Sequence, residues 1–252
     1  MITLATDFGE PYPAAMKGVI ARRSDADTVD IGHDFSRQAP REAAFWLRFV
    51  LPEFPPAVHC AVIDPGVGTD RQALVVRAGG HALVGPDNGL LLPPARSLAD
   101  GDDVEVFSVR VEDPASDTFH GRDVFAPVAA DCHEVGVAAL DRLPALVRTR
   151  EYEDLRLPEP TVRDGGATGE VLAVDGFGNA VTNLSSDLLD GHDRVRVDGQ
   201  EYPVVPAYAH TEVGTALVTV GSHERVELAV NQGRGDEQFG VTTGEKVTLA
   251  WD

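Results

Sequence analysis

Short apolar runs alternate with segments of helical periodicity through the first half of the chain. Ile2–Thr6, Asp27–Ile31, Val58–Ile63 and Ala73–Val76 are apolar or β-branched and predict strands. Ala14–Arg23, Pro40–Val50 and Val124–Val135 predict helices. PREAAFWLRFV at 40–50 is the clearest, with apolar residues at helical spacing behind a proline suited to the first helical position. The DNG at Asp87–Gly89 predicts a tight turn. Strands alternating with helices predict an α/β domain, a layered sheet with helices, over residues 1–160. From Leu155 to Gly169 proline, glycine and charge accumulate, as they do in linkers. Beyond it come short strands separated by turn residues and no segment of convincing helical period. Residues 168–252 are therefore expected to form a smaller all-β, barrel-like domain.

Composition narrows the function classes. No stretch approaches the roughly 20 apolar residues that cross a bilayer, and MITLATDFGE lacks the basic start and apolar core of a signal peptide, so a cytoplasmic protein is expected. The formal net charge is -20, from 41 acidic and 21 basic residues. Only Lys17 and Lys246 are lysines. Such a surface repels nucleic acid and anionic membranes; an acidic, lysine-poor surface is also what concentrated salt favours, and a halophile's cytoplasm is the expectation. Cys60 and Cys132 fall in apolar segments and read as small core residues. The eight histidines form neither HxH nor HExxH, so no metal is expected.

Four stretches remain as candidates for chemistry. TDFG puts Asp7 directly after the first strand. There it either faces a ligand crevice, able to accept two hydrogen bonds from a ribose diol, or caps the turn into the helix. AVIDPGVGTDR holds a GVG, but the third glycine of a dinucleotide fingerprint is missing and QALVVRAGG continues as a strand rather than a helix. Turn chemistry explains Asp64, Pro65 and Gly66 and leaves Arg71 unexplained. TFHGRDVFAP presents His120 on a loop just before a helix. DGFGNAVTNL is either a hairpin bend or a polar site in which Asp175, Asn179 and Asn183 surround the aromatic Phe177; the second reading is favoured.

With TDFG, MKGVI, DPGVGT, GPDNGLL, TFHGRD and DGFGN in order from residue 2 to about 250, the chain resembles the S-adenosylmethionine hydroxide adenosyltransferases, relatives of the fluorinase and chlorinase enzymes. The resemblance implies hydrolysis of S-adenosylmethionine (SAM) to adenosine and L-methionine, with SAM as substrate and no further cofactor. It also implies a homotrimer with active sites between the N-domain of one subunit and the C-domain of the next. The family's Asp–Arg–His triad falls on Asp64, Arg71 and His120, and its ribose-binding aspartate on Asp7. Its ligand-binding FGN motif falls on Asp175, Phe177 and Asn179. ELAVNQG at Glu227–Gly233 resembles a segment contributing to the adenine and methionine pocket, although RGDE replaces the usual small residues after it. TDFGEPYPAAMKG departs from the family's spacing, with Tyr12 as the ligand contact there. Halogenating relatives carry tyrosine at the position of Asp64 and Tyr-Ser at that of His120-Gly121, which favours water over halide as nucleophile. A SAM-dependent halogenase, a non-catalytic adenosine or SAM sensor and a nicotinamide dehydrogenase are the competing classes.

Overall fold

In the computed structural model, which describes residues 1–99, 103–111 and 116–251, the chain forms two compact units, Met1–Leu157 and Pro158–Asp252. The first unit holds strands β1 (Ile2–Thr6), β2 (Thr28–Gly32), β3 (Val58–Val62), β4 (Ala73–Ala78), β5 (His81–Pro86), β6 (Val104–Val109) and β7 (Leu146–Arg148) in one sheet of order β2-β1-β3-β5-β4-β6-β7. Helices α1 (Tyr12–Ala21), α2 (Pro40–Val50), α3 (Leu92–Leu98) and α4 (Ala126–Val135) cover it.

Alternation along the central strands explains the layering. Ile2, Leu4, Cys60 and Val62 turn to one face with Met16 and Ile20 of α1 and Ala129 and Cys132 of α4. Ala5 and Ala61 turn to the other, with Ala43, Ala44 and Leu47 of α2 and Leu92 and Ala95 of α3. β1 and β3 are buried along their whole length, which is why both read as continuous apolar runs. Helix α2 occupies the bounds its periodicity predicts, while α1 begins two residues before the predicted start. Both cysteines lie in this core, and burial raises the Cys60 thiol and pushes that of Cys132 up to about 12.

The alternation of strand and helix stops at β3. β1, β2, β3 and β5 are parallel, but β4, β6 and β7 join by antiparallel pairing. β5, β6, β7 and α3 are additional to the predicted elements. α3, LPPARSL, carries two consecutive prolines in its first turn, where missing amide hydrogens cost no helical bond.

The second unit holds β8 (Thr161–Arg163), β9 (Gly166–Val174), β10 (Ala180–Ser185), β11 (Arg194–Val197), β12 (Gln200–Pro203), β13 (Ala216–Val220), β14 (Arg225–Val230) and β15 (Lys246–Ala250). Its path is β12-β11-β15-β9-β10-β14-β13, with β8 paired to β9. All named pairings are antiparallel, and a bridge from Val204 to Val218 brings the two ends of the path together into a near-barrel. Two expectations are corrected here. The proline- and glycine-rich segment at 155–169 contains the boundary between the units at Leu157–Pro158, but from Thr161 onward it is the β8–β9 hairpin, with its glycines at the turn. A short helix, α5 (Gly235–Phe239), interrupts the strands, closed by Gly240 in the left-handed region at φ 65°. Among the described residues no helix is long and apolar enough to cross a membrane.

A buried polar chain crosses the first sheet. Thr3 Oγ1 lies 2.8 Å from His59 Nδ1, and His59 Nε2 lies 2.9 Å from His81 Nδ1. Burial, reinforced by the neighbouring His81, depresses the pKa of His59 to about 3, and burial lowers that of His81. Below about pH 6.5 the unfolded chain binds protons that these native imidazoles refuse. Their contribution is therefore complete above pH 6.5 and declines as pH falls towards 3, with a slope of about 1.4 kcal/mol per pH unit for each fully linked histidine. Urea unfolding between pH 7 and pH 5 should show this slope flattened in His59→Phe. An unchanged slope in that variant would contradict the linkage.

Candidate active site

Adjacent parallel strands set the site. β1 and β3 pair with Thr6 opposite Val62, so the chain emerges from neighbouring carboxyl ends with Asp7 just beyond one strand and Asp64 just beyond the other. Carboxyl ends of parallel strands are where α/β sheets bind ligands. A cavity of about 660 Å³ opens here, and Asp7, Asp64 and His120 all line it.

Asp64 bonds both to its own turn and to Arg71. Its Oδ1 accepts from the Gly66 backbone N–H at 3.2 Å, fixing the DPG turn, and from Arg71 Nε at 2.8 Å. Arg71 Nη2 donates to Asp64 Oδ2, completing a bidentate pair. The same nitrogen lies 2.9 Å from His120 Nδ1. Guanidinium nitrogens only donate, so Nδ1 accepts and the neutral ring carries its proton on Nε2. The Asp64 and Arg71 side chains are only 5% and 11% exposed, so the pair is held in a largely water-free setting. Beneath it the guanidinium carbon lies 5.1 Å from the centroid of the fully buried Phe125 ring.

His120 reaches this position from the start of a single π-helical turn, Gly121–Phe125, that runs into α4. Such turns occur often at functional sites because the extra residue re-aims the side chains around it. Loop segments 49 residues apart in sequence thereby meet.

Asp7 does not cap α1, which has no side-chain cap; its Oδ2 accepts the Gln38 backbone N–H at 2.7 Å. Arg37 and Gln38 also line the cavity and went unnoticed in the sequence. Their signal is the one that exposes Asp7: they follow β2, another parallel strand, past its carboxyl end.

In the second unit DGFGN is a tightly bonded bend. Asp175 Oδ1 accepts from the backbone N–H groups of Phe177 and Asn179 at 2.9 and 2.8 Å, and its Oδ2 accepts from Asn179 Nδ2 at 3.0 Å. Phe177 stands 82% exposed at the tip. Asn183 does not join this group: its Oδ1 accepts from Glu170 N and its Nδ2 donates to Pro158 O, each at 2.8 Å, so it ties strands together. The bend is braced instead by Tyr208, which receives a 3.3 Å bond from Asn179 and donates to Glu227 at 2.5 Å. Glu227 is 3% exposed, and burial, with the charge of Asp175, raises its pKa despite the Tyr208 bond.

Among the described residues, Asp25, His133 and Glu134 bring three possible metal-ligand atoms within 4.8 Å of one another. Both His133 ring nitrogens are already engaged, by the Met1 amine and Ser24 Oγ, each at 2.9 Å.

Family models described as the SAM hydroxide adenosyltransferase N-terminal and C-terminal domains match residues 2–141 and 169–248. An (R)-S-adenosyl-L-methionine hydrolase of Salinispora tropica is 40% identical, over 98% of this chain and 97% of its own. A hydrolase of the same name from Thermus thermophilus is 38% identical over 97% of each chain. Among solved structures, an uncharacterized conserved protein from Thermotoga maritima superposes with a TM-score of 0.84 at 33% identity, covering all of both chains.

Proposed function

The chain belongs to the SAM hydroxide adenosyltransferase family, and we propose that it hydrolyses S-adenosyl-L-methionine to adenosine and L-methionine by attack of water on C5′ of the ribose. The observation that carries the assignment of residues is the bonded set Asp64–Arg71–His120 beside a cavity that Asp7 also lines.

The leaving group simplifies the chemistry. As the C5′–S bond breaks, its electron pair returns to a sulfonium and a neutral thioether departs, so neither acid nor Lewis acid is needed there. The demanding half is the nucleophile, because free water has a pKa of about 15.7. Arg71 supplies a fixed positive charge beside the developing hydroxide. His120 accepts from Arg71 through Nδ1, which leaves Nε2–H as a donor to the water's oxygen. That bond supports Asp64 over His120 as the acceptor of the released proton: Oδ1 is filled by Gly66 and Arg71, while Oδ2, bonded to Arg71, keeps a second lone pair. Asp7 has one oxygen bonded to Gln38 and the other available to the ribose diol. No metal or other cofactor enters.

The active unit in this proposal is a homotrimer. The exposed Phe177, on a bend rigidified by Asp175 and Asn179, supplies an aromatic face that covers the nucleoside bound in a neighbouring subunit's cavity. The net charge of -20 fits work in the salt-rich cytoplasm of a halophile.

Product analysis after incubation with SAM in chloride-containing buffer tests the reaction. Adenosine and L-methionine in equal amounts are expected. 5′-Chloro-5′-deoxyadenosine would reveal a halogenase, and unchanged SAM a binding protein.

A further inference from the structure

Three aromatic rings in the same cavity have no part in the triad. Phe8 follows Asp7, Phe119 precedes His120, and Tyr12 opens α1. Their planes are mutually near-perpendicular: 87° between Phe8 and Tyr12, 85° between Phe8 and Phe119, and 82° between Tyr12 and Phe119. The centroids lie 6.2, 6.0 and 5.3 Å apart in the same order. Three mutually perpendicular planes make the corner of a box, the arrangement by which aromatic side chains enclose an onium cation.

We infer that this corner holds the positively charged sulfur of the substrate and makes the site selective for an onium centre over a neutral thioether. The inference rests on the hydrolase reading, which places a sulfonium one bond from the attacked carbon. Neighbours in the chain argue for the same place: the corner is built from residues adjacent to Asp7 and His120, the two groups that bracket C5′ in that reading. Phe119 already receives a cation, for the Arg122 guanidinium carbon lies 5.1 Å from its centroid. Arg122 is itself held by Asp123 at 2.6 and 2.8 Å. Gly121 lets the corner close. A Cβ there would sit 3.1 Å from Met16 Sδ, 3.2 Å from Phe119 and 3.4 Å from Phe8, tight enough to spread the rings.

The charge on sulfur exists in the substrate and is gone in the product, so the corner attracts SAM and releases methionine. Tyr12 is the ring to change, because it is 52% exposed and carries little of the core. Calorimetric titration compares S-adenosylhomocysteine, whose sulfur is neutral, with the analogue that has an ammonium-bearing carbon in place of the sulfur. The wild type should bind the cationic analogue more tightly. Tyr12→Leu should weaken it about five- to thirty-fold and weaken S-adenosylhomocysteine less than about two-fold, whereas Tyr12→Phe should hold both within about two-fold. Equal weakening of the two ligands by Tyr12→Leu, or no preference in the wild type, would overturn the inference. Adenosine release from SAM by the wild type is followed in parallel. Its absence would remove the hydrolase reading and leave the comparison of charged and neutral ligands standing.

Discussion

Arg71→Met is expected to lower kcat by about 10³-fold while the dissociation constant for SAM changes only a few-fold. The guanidinium joins Asp64 to His120, and in the proposed mechanism its charge stabilises the water as it becomes hydroxide. Methionine keeps an unbranched apolar stem and supplies neither donor nor charge. Removing one member of a buried ion pair also strands the other, a cost of about 3–5 kcal/mol in folding stability. Chemical unfolding therefore accompanies the kinetics, and Arg71→Lys serves as the second variant. Lysine keeps the charge but not the planar fork that binds both Asp64 oxygens and His120. Its kcat should fall about 10²-fold in a protein that unfolds near the wild-type midpoint. Near-normal turnover in both variants would show that the polarised water has been assigned to the wrong residues.

Mixing two inactive variants should restore activity. Arg71→Met disables the triad, and Asp175→Ala removes the carboxylate that fixes the Phe177 bend through three hydrogen bonds. Each is expected to be nearly inactive as a pure protein. If every site takes its triad from one subunit and its DGFGN bend from the next, co-refolded equal mixtures contain sites with both parts intact. Random assembly into closed rings gives about one quarter of the wild-type activity. Sites completed within a single chain give none, because every subunit in the mixture carries one defect. The recovery thus separates a shared site from a self-contained one without a bound ligand.

What the sequence exposes, and what it hides, follows from how far each feature depends on distant partners. α2 is legible because proline at its start and apolar spacing are local properties, and β1 and β3 because burial on both faces leaves continuous apolar runs. Asp7 and Asp64 stand out as carboxylates at the ends of those runs. The antiparallel pairing of β4 with β5 is local, a hairpin closed by the two-residue turn Gly79-Gly80. The parallel pairing of β5 with β3 and the pairing of β4 with β6 are not, because they depend on partners distant in the chain. The stretch at 155–169 shows a related ambiguity: glycines that suggest a loose tether serve equally as the bend of a hairpin. Asn183 is indistinguishable in sequence from Asn179, yet one braces a strand and the other a turn. Arg37 and Gln38 follow β2 as Asp7 follows β1, but only the parallel pairing of those two strands, which SRQ does not encode, brings both ends to one cavity. The aromatic corner is visible only in three dimensions, since Phe119 joins Phe8 and Tyr12 from a segment more than 100 residues away in sequence.

The most direct measurement of the central claim is hydrolysis of SAM in water enriched in oxygen-18, with mass analysis of both products. Attack of solvent water on C5′ puts one labelled oxygen in the 5′-hydroxyl of adenosine and none in methionine. Homoserine carrying the label, together with methylthioadenosine, would mean that water attacks the amino-acid carbon instead, and unlabelled adenosine would mean that the oxygen does not come from solvent.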